Sequence, residues 1–315
     1  MKPFTFSADI GEVVTGPDLA ARARRAEELG YHALVVPDHL LGRLSPIVAM
    51  ASVAATTTAL RVSAFVMNND LRHPAVVAAD LASIDVLSGG RLDVAIGAGW
   101  NRPEYDAIGL RFDPPPVRRA RLAESVAILK RAFPGEPFSF AGEYYTITDY
   151  QPGPPTVQRP HPPFFIGGGS RHTLALAGRE ADIVGLAPRI SSSIAVDARS
   201  LTFEATREKL QWVREAAGDR FSSLTFNVYP SVWPVTITDN LRAEARKVVD
   251  HLRTRSGVEL TEDEVIGSPH LFIGSINRLV EKFHQLREEL GITSIMLGDI
   301  DELAPVVERL AGDER

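Results

Sequence analysis

The sequence has no cysteine, few lysines and no long apolar run. The absence of cysteine excludes disulfides, thiolate nucleophiles and Cys-ligated iron–sulfur or zinc sites. Only 5 of the 34 basic residues are lysines, the net charge is −6 and no basic stripe occurs, so no nucleic-acid partner is expected. No stretch approaches the roughly 18 apolar residues of a membrane helix, and no signal-peptide run is present. We therefore expect a cytoplasmic enzyme without a membrane partner.

Several catalytic signatures are missing too. The eight histidines show no H-x-x-x-H or H-E-x-x-H spacing, so no metal site is expected. There is no G-x-S-x-G elbow and no Walker A loop, which removes the main signatures of α/β-hydrolases and P-loop nucleotide triphosphatases.

What is present is an alternation of short apolar runs with amphipathic stretches, as expected for βα units that form a parallel sheet. The predicted strands are Phe4–Ala8, Ala33–Pro37, Val62–Met67, Leu92–Gly97, Pro163–Gly167, Asp182–Ala187, Ser223–Tyr229 and Ile292–Leu297. The predicted helices are Pro17–Gly30, Ser45–Thr57, Pro74–Leu87, Val117–Phe133, Arg171–Gly178, Ala198–Gly218, Asn240–Ser256 and Asp301–Ala311. Eight such units predict a single (β/α)₈ TIM-barrel domain over residues 1–315.

Two segments interrupt the alternation. Phe138–Thr146 is predicted to be a hairpin, and Gln151–Pro163 carries six prolines. We expect this long excursion on the side of the barrel where active sites form. The second excursion, Glu259–Ile276, precedes a further predicted helix, Asn277–Leu290.

The candidate chemistry lies just after the predicted strands, because barrel active sites form in the loops there. The second strand ends in Asp38-His39. An imidazole beside a carboxylate can act as a base or proton shuttle near neutral pH. The dipeptide alone fits equally well a structural role, with Asp38 as a cap and His39 packed in the loop.

The loop after the third strand offers polar groups at the same end of the barrel. It contains Asn68, Asn69 and Asp70, and then His73 before Pro74, a residue suited to the first turn of a helix. For Asp70 and His73 we favour side chains that only satisfy backbone groups of the loop.

The fourth strand ends in Gly97-Ala98-Gly99-Trp100. Glycines at a strand end let the backbone approach a planar ligand, and Trp100 offers an apolar wall. The run lacks the third glycine and the later acidic residue of the dinucleotide fingerprint, so a Rossmann site is not expected.

The fifth strand ends in a triple glycine followed by Ser170 and Arg171, and it leads directly into a helix. Backbone N–H groups at a helix N-terminus, together with an arginine, form an anion site. The alternative is a tight turn with Ser170 as N-cap. Three consecutive glycines exceed what a turn requires, so we favour a phosphate site.

Three segments together resemble the bacterial-luciferase-like family, in particular its coenzyme F420-dependent branch. They are VPDHL, the run from RVSAFVMNND to GAGWNRPEY, and PPFFIGGGSRHTLALAGREADIVGL. The order D-H, H-P with I-D-x-L-S-G-G-R, G-x-G-W with E-Y, and G-G-G is more specific than any single motif. The resemblance spans most of the chain and implies a (β/α)₈ barrel that binds a deazaflavin or flavin.

The resemblance also implies residue roles. It makes His39 the catalytic residue beside the redox-active ring and places Asp38 in contact with the cofactor. It implies a non-prolyl cis peptide behind the ring, which spacing from Pro74 puts at Ala64–Phe65. The other cofactor-binding candidates are Asn68, then Ala98, Gly99 and Trp100 at the ring edge, and Gly167, Gly168, Gly169 and Ser170 at the tail phosphate.

One position departs from the pattern of the branch. Its sugar-phosphate dehydrogenases carry a catalytic glutamate after the second glycine of strand 4, where this chain has Trp100. A glucose-6-phosphate-type substrate is therefore not expected. Glu104, four residues later, is expected to be structural and to pair with a neighbouring arginine.

The sequence thus predicts an F420-dependent oxidoreductase that transfers a hydride between deazaflavin C5 and an unidentified small organic substrate. Two alternatives stay open. One is a two-component FMNH₂-dependent monooxygenase, which would need a flavin reductase as partner; the other is a non-catalytic barrel subunit or cofactor carrier. The resemblance implies a homodimer. Substrate specificity is expected in Phe138–Thr146, the proline-rich excursion and Ser191–Ala198.

Overall fold

The structure is a computed structural model that describes residues 2–12, 15–190, 196–298 and 300–312. Thirteen strands lie in these ranges. Parallel strands at eight places along the chain alternate with helices. The strands are β1 (Thr5–Asp9), β2 (Ala33–Val36), β3 (Arg61–Ala64), β4 (Met67–Asn68), β5 (Leu92–Gly97), β6 (Phe138–Ala141), β7 (Thr146–Tyr150), β8 (Phe164–Gly168), β9 (Ile183–Leu186), β10 (Thr225–Val228), β11 (Thr236–Ile237), β12 (Ile273–Gly274) and β13 (Ile292–Met296).

Eleven α-helices and three short 3₁₀ helices lie in the same ranges. The α-helices are α1 (Gly16–Glu28), α2 (Pro46–Thr56), α3 (Pro74–Ser88), α4 (Arg102–Ala107), α5 (Pro115–Ala132), α6 (Arg171–Glu180), α7 (Phe203–Ala217), α8 (Leu241–Ser256), α9 (Glu262–Gly267), α10 (Ile276–Leu290) and α11 (Ala304–Gly312). The 3₁₀ helices are Asn69–Leu71, Ala198–Leu201 and Gly218–Ser223. In the described part of the chain, no helix combines the length and apolar character needed to cross a membrane.

Residue contacts group the chain into two compact units. The N-half comprises Glu12–Glu27 and Ala33–Ile166, and the C-half comprises Met1–Gly11, Glu28–His32 and Gly167–Arg315. In the N-half, β2 pairs with β3, both β3 and β4 pair with β5, and β5 pairs with Phe164–Ile166 of β8, always in parallel. In the C-half, β1, β13, β10 and β9 pair in parallel in that order.

Burial follows from the apolar runs that predicted the strands. All four residues of β2 and all six of β5 are buried, as expected for parallel strands covered on both faces. In α10, Leu279, Phe283 and Leu286 are buried at helical spacing, and Gly291 ends the helix in the left-handed conformation (φ 69°). The (β/α)₈ order of elements predicted from the sequence is confirmed.

The third predicted strand, Val62–Met67, is interrupted. β3 ends at Ala64 and β4 begins at Met67, and the non-prolyl cis bond between them joins Phe65 and Val66. The predicted position, Ala64–Phe65, was wrong by one residue. The amide of Phe65 still donates to the carbonyl of Val36 at 2.9 Å, so the pairing with β2 holds until that residue and the chain departs one bond later.

The proline-rich excursion lies at the amino ends of the N-half strands, so its expected position on the active-site side was wrong. Gln158 donates to the carbonyl of Leu92 in β5 at 2.7 Å and accepts from Arg61, the first residue of β3, at 3.0 Å. The physical reason is that α5 returns the chain to the amino ends of the strands before the excursion begins.

The turn of the β6–β7 hairpin reaches the loop after β4. Asn69 donates to the hydroxyl of Tyr145 at 3.4 Å, and the ring of His73 lies edge-on to the ring of Tyr145 at 5.4 Å. The carboxylate of Glu124 in α5 accepts the backbone amides of Glu143, Tyr144 and Tyr145. The hairpin is thereby held between α5 and that loop.

Two α-helices and two strands were not predicted from the sequence: α4, α9, and the two-residue strands β11 and β12, which pair in parallel with each other. They are short, and β11 and β12 exist only through their mutual contact in the C-half. Of the third segment expected to govern specificity, residues 191–195 lie outside the described residues.

Candidate active site

His39 and Glu104 form the central contact of the candidate site. His39 follows β2, and its Nδ1 lies 2.8 Å from Oε1 of Glu104 in the first turn of α4. The imidazole is 33% exposed, whereas the glutamate side chain is only 3% exposed. The expectation that Glu104 pairs with an arginine was wrong, because the short helix α4 turns this side chain inward, toward the end of β2.

Trp100 lies next to this pair. Its ring is nearly perpendicular to the imidazole of His39, at 87°, with a centroid distance of 5.8 Å. Trp100 is 48% exposed. Trp100 is thus an apolar neighbour of the candidate catalytic imidazole.

Asp38, the residue before His39, is buried and fully engaged. Its Oδ2 accepts the guanidinium of Arg72 at 2.7 Å and the backbone amide of Asn68 at 2.8 Å, and its Oδ1 accepts from Arg72 at 3.0 Å. Bidentate pairing with a guanidinium fixes the geometry of both partners. Asp38 therefore ties the end of β2 to the loop that follows β4.

A second buried cluster holds the same loop to α5. The hydroxyl of Tyr105 lies 2.9 Å from Oδ1 of Asn68 and 3.0 Å from Oδ2 of Asp70, and it donates to this pair of acceptors. Asp70 also accepts two hydrogen bonds from Arg121, at 2.8 and 3.0 Å. Burial, and then the negative charge of Asp70, raises the pKa of Tyr105 well above its usual range. Tyr105 thus remains a neutral donor.

The backbone-binding role favoured for His73 is confirmed, whereas the same expectation for Asp70 was wrong, because its carboxylate accepts from the side chains of Tyr105 and Arg121. Asp70 is engaged in the Tyr105 cluster. His73 is the N-cap of α3, where its Nδ1 accepts the amide of Ala75 at 3.2 Å and Pro74 occupies the first turn.

The glycines at the end of β5 are required by neighbouring side chains. A Cβ at Gly99 (φ 74°) would overlap the hydroxyl of Tyr105 and lie 2.5 Å from Oδ1 of Asn68. A Cβ at Gly97 would lie 2.7 Å from Cγ2 of Val66, the residue after the cis bond. The carbonyls of Ala98 and Gly99 accept from the buried guanidinium of Arg118. These contacts fix the path of the chain up to Trp100.

The remaining ring candidates lie at the break between β3 and β4. Ala64 is buried at the end of β3, and Phe65, which is partly exposed, has its ring 5.4 Å from that of Phe165 in β8. Asn68 is buried, and its side chain accepts from the Asp70 amide as well as from Tyr105.

The triple-glycine turn belongs to the C-half. A Cβ at Gly169 would lie 2.5 Å from the carbonyl oxygen of Pro188, and one at Gly168 would meet the side chain of Thr173. Ser170 is the N-cap of α6, accepting the amide of Thr173 at 3.3 Å. Packing within the protein thus accounts for two of the glycines, and the N-cap role considered for Ser170 is confirmed.

The sequence of this chain also matches a known protein family. Residues 3–198 match the profile of the family described as luciferase-like monooxygenase. The chain belongs to this family.

Relatives in the luciferase-like monooxygenase family include enzymes of two cofactor types. The chain is 38% identical over 128 residues to an FMNH₂-dependent dimethylsulfone monooxygenase of Pseudomonas putida, covering 41% of this chain and 35% of that protein. It is 31% identical over 178 residues to an F420-dependent glucose-6-phosphate dehydrogenase of Amycolatopsis mediterranei, covering 53% of this chain and 52% of that enzyme. The chain thus spans about half or less of the length of these two relatives.

The fold of this luciferase-like chain is also that of a solved structure. A coenzyme F420-dependent tetrahydromethanopterin reductase from Methanopyrus kandleri superposes with a TM-score of 0.77 at 18% identity, covering 99% of both chains. The (β/α)₈ barrel predicted from the sequence is confirmed.

Sequence reasoning named His39, Asp38, Asn68, Gly99 and Trp100, and the structure brings them together in the N-half. Sequence reasoning missed Glu104 as the partner of His39. It also missed the side chains that hold the loops, which are Arg72, Tyr105, Arg118 and Arg121. A signal was present for Glu104, because it is part of the G-x-G-W…E-Y motif itself.

Proposed function

We propose that this protein is a coenzyme F420-dependent oxidoreductase in which His39 exchanges the proton that accompanies hydride transfer to or from a small organic substrate. The observation that carries the proposal is the 2.8 Å contact between Nδ1 of His39 and the buried carboxylate of Glu104. Glu104 acts as a positioning residue through His39.

The contact determines which nitrogen is available for chemistry. With Nδ1–H donated to Glu104, the lone pair of Nε2 remains to accept a proton from the substrate. A buried carboxylate on Nδ1 holds the ring in this tautomer and stabilises the imidazolium that forms after proton transfer. The partial exposure of the imidazole then allows the proton to pass to solvent.

The residues present fit the cofactor that this function requires. When bound, the deazaflavin supplies the carbon that accepts or donates the hydride. Trp100, Ala98 and Gly99 offer a wall and backbone edge for a planar ring, and partly exposed Phe65 offers an apolar surface. Ala64 and Asn68, being buried, support this surface from within. Asp38 keeps the loop in place through Arg72, and its direct contact with the cofactor stays a prediction.

A separate group of donors in the C-half fits an anionic cofactor tail. Ser170 already accepts the amides of Thr173 and Leu174 through its side chain and carbonyl. In the described hydrogen bonds, this leaves the amides of Arg171 and His172 at the start of α6, where the helix dipole favours an anion. We propose that this N-terminus, with Gly167, Gly168 and Gly169 before it, binds a phosphate.

The test is a comparison of His39 and Glu104 variants. We expect His39→Ala and Glu104→Gln each to lower the turnover of the F420-loaded protein by about 10²- to 10⁴-fold, the usual contribution of a positioned general acid–base. Glu104→Gln should also change the pH profile of kcat while F420 affinity stays unchanged. Arg102→Gln, whose exposed side chain pairs only with Asp106 among the described contacts, is the matched control.

A result in which His39→Ala turns over at the wild-type rate would show that His39 does not have the proposed catalytic role. The cofactor is tested separately by titrating the apo-protein with F420 and with FMN. Tight FMN binding without F420 affinity would reject the F420 assignment.

A second candidate function is a two-component FMNH₂-dependent monooxygenase. It is favoured by the 38% identity to the dimethylsulfone monooxygenase over 128 residues. Apolar Phe65 and Trp100 would suit the exclusion of water that oxygen chemistry on a flavin requires. This function predicts oxygenation of substrate by O₂ that depends on a flavin reductase as partner.

We also propose that the protein forms a homodimer through the outer faces of α2 and α3. α2 has no charged residue, and Val48 on α2 and Val76 and Leu87 on α3 are exposed, with Leu87 at 79%. A helix that is apolar on all sides is normally covered. A second copy of the chain supplies that cover.

A further inference from the structure

We propose that Trp100 is the specificity-determining residue of this site and that it selects uncharged alcohols with an apolar skeleton, or the corresponding ketones. This inference rests on the proposed function and adds the class of substrate to it. The juxtaposition that carries it is a half-exposed indole held against the imidazole of His39.

The charged side chains of the described site are already engaged. Asp38 is paired with Arg72, Asp70 with Arg121, and Glu104 with His39. The buried guanidinium of Arg118 is directed to the carbonyls of Ala98 and Gly99. A phosphate or carboxylate brought to His39 would therefore find the arginines of this cluster already bound to carboxylates or to backbone carbonyls. Without a cation to pair with, the desolvation of such an anion would be unfavourable.

The surface that remains beside His39 is apolar. Trp100 is 48% exposed and contacts the imidazole edge-on. Leu40 and Leu41, the next two residues after His39, are also exposed. An apolar skeleton could cover this surface, while a hydroxyl or carbonyl group forms a hydrogen bond with Nε2 of His39.

Trp100 is held in place by its backbone. Gly99 before it adopts a φ of 74°, its carbonyl is bound by Arg118, and the carbonyl of Trp100 accepts the amide of Arg102 at 3.1 Å. The backbone that carries the indole is therefore held in place and does not move as a free loop. A fixed apolar wall discriminates between substrates because each poorly matched group costs transition-state binding.

The reaction balances with the groups proposed. The hydride leaves the carbinol carbon of the alcohol for C5 of oxidised F420, the hydroxyl proton passes to Nε2 of His39, and the carbon–oxygen bond becomes a carbonyl. The alcohol is oxidised by two electrons and the deazaflavin is reduced by two. The reverse direction reduces the ketone.

The experiment compares one apolar and one charged alcohol on the F420-loaded protein. The probes are cyclohexanol and glucose 6-phosphate, with initial rates followed by the loss of cofactor absorbance near 420 nm. We expect kcat/KM for cyclohexanol to exceed that for glucose 6-phosphate by about 100-fold or more. A preference for glucose 6-phosphate would overturn the inference.

Variants of Trp100 give a matched series. Trp100→Phe should keep kcat/KM for cyclohexanol within about threefold, and Trp100→Glu should lower it by about tenfold or more, mainly through KM. Trp212→Phe, in α7 of the C-half, is the control and should change neither value. Because Trp100 is half exposed, these variants are expected to fold, which circular dichroism checks.

Binding gives a readout that does not depend on turnover. Saturation-transfer NMR of cyclohexanone with the F420-loaded wild-type protein should show contact that Trp100→Glu loses and Trp212→Phe keeps. Absence of F420 binding overturns the proposed function. F420 binding without cyclohexanone contact, or with contact unchanged in Trp100→Glu, overturns the inference alone.

Discussion

At the residue scale, the loops of the candidate site depend on close approaches that only particular side chains permit. Gly99 shows this most directly, since the hydroxyl of Tyr105 occupies the space that a Cβ would need. The same hydroxyl binds Asn68 and Asp70. The absence of a Cβ at Gly99 therefore leaves room for a buried hydrogen-bonded cluster. Trp100 is placed against His39 as a consequence.

The first prediction compares two glycines with the same backbone conformation. Gly99 has a φ of 74° and Gly109 a φ of 70°, but a Cβ at Gly109 would have no neighbour within 4 Å. Gly109→Ala should cost only the left-handed strain, about 1–2 kcal/mol. Gly99→Ala should cost about 1–3 kcal/mol more, because the Tyr105 cluster must move. Urea denaturation measures both, and equal losses would show that the cluster is not rigid.

At the element scale, α2 and α3 expose apolar side chains on the side away from the strands. The two helices contact each other in the N-half and bury Met50, Val53 and Leu81 toward the strands. Yet Val48 remains 68% exposed and Leu87 79% exposed on the other side. Exposed valine and leucine on paired helices support the proposed dimer surface.

The second prediction follows for the oligomeric state. We expect the wild-type protein to be a dimer by light scattering, and the double variant Val48→Lys/Leu87→Lys to be a folded monomer. Burying four unpaired lysine charges per dimer would be strongly unfavourable. Ile237→Lys, an exposed apolar position of β11 in the C-half, is the control and should stay dimeric. A dimeric double variant would place the interface elsewhere.

At the scale of the whole molecule, two of the five lysines are buried in the C-half and donate to backbone carbonyls. Nζ of Lys209 lies 2.8 Å from the carbonyl oxygen of Ser200, and Nζ of Lys282 lies 2.6 Å from that of Leu271. Burial is the main cause that lowers the pKa of each to about 7. The stability of the protein therefore depends on pH.

The third prediction gives the direction of that dependence. Between pH 7 and 10 the unfolded chain keeps protons on these lysines that the folded chain has released, so raising the pH favours folding. Each lysine contributes at most about 1.4 kcal/mol per pH unit in this range. Urea denaturation at pH 7, 8 and 9 should show rising stability, with a shallower rise in Lys209→Met. Lys247→Met, at an exposed position, should leave the slope unchanged.

The fold could be predicted because its elements repeat a local pattern. Leu92–Gly97 is apolar except for Asp93 and has the predicted bounds, and the other seven strands lie within a few residues of theirs. The break at Phe65-Val66 could not be placed, since it depends on where pairing with β2 ends. The hydrogen bonds of Gln158 to Leu92 and Arg61 likewise depend on distant parts of the chain.

The sequence by itself determined the order of strands and helices, because apolar periodicity and capping residues act over a few neighbours. It also determined the family, through motifs such as D-H and G-A-G-W. Only the tertiary structure decided that the carboxylate of Glu104 meets His39 and that Asp38 binds Arg72. The partners of the first pair lie 65 positions apart in the chain, and those of the second pair lie 34 positions apart. Such contacts follow from packing that no local pattern encodes.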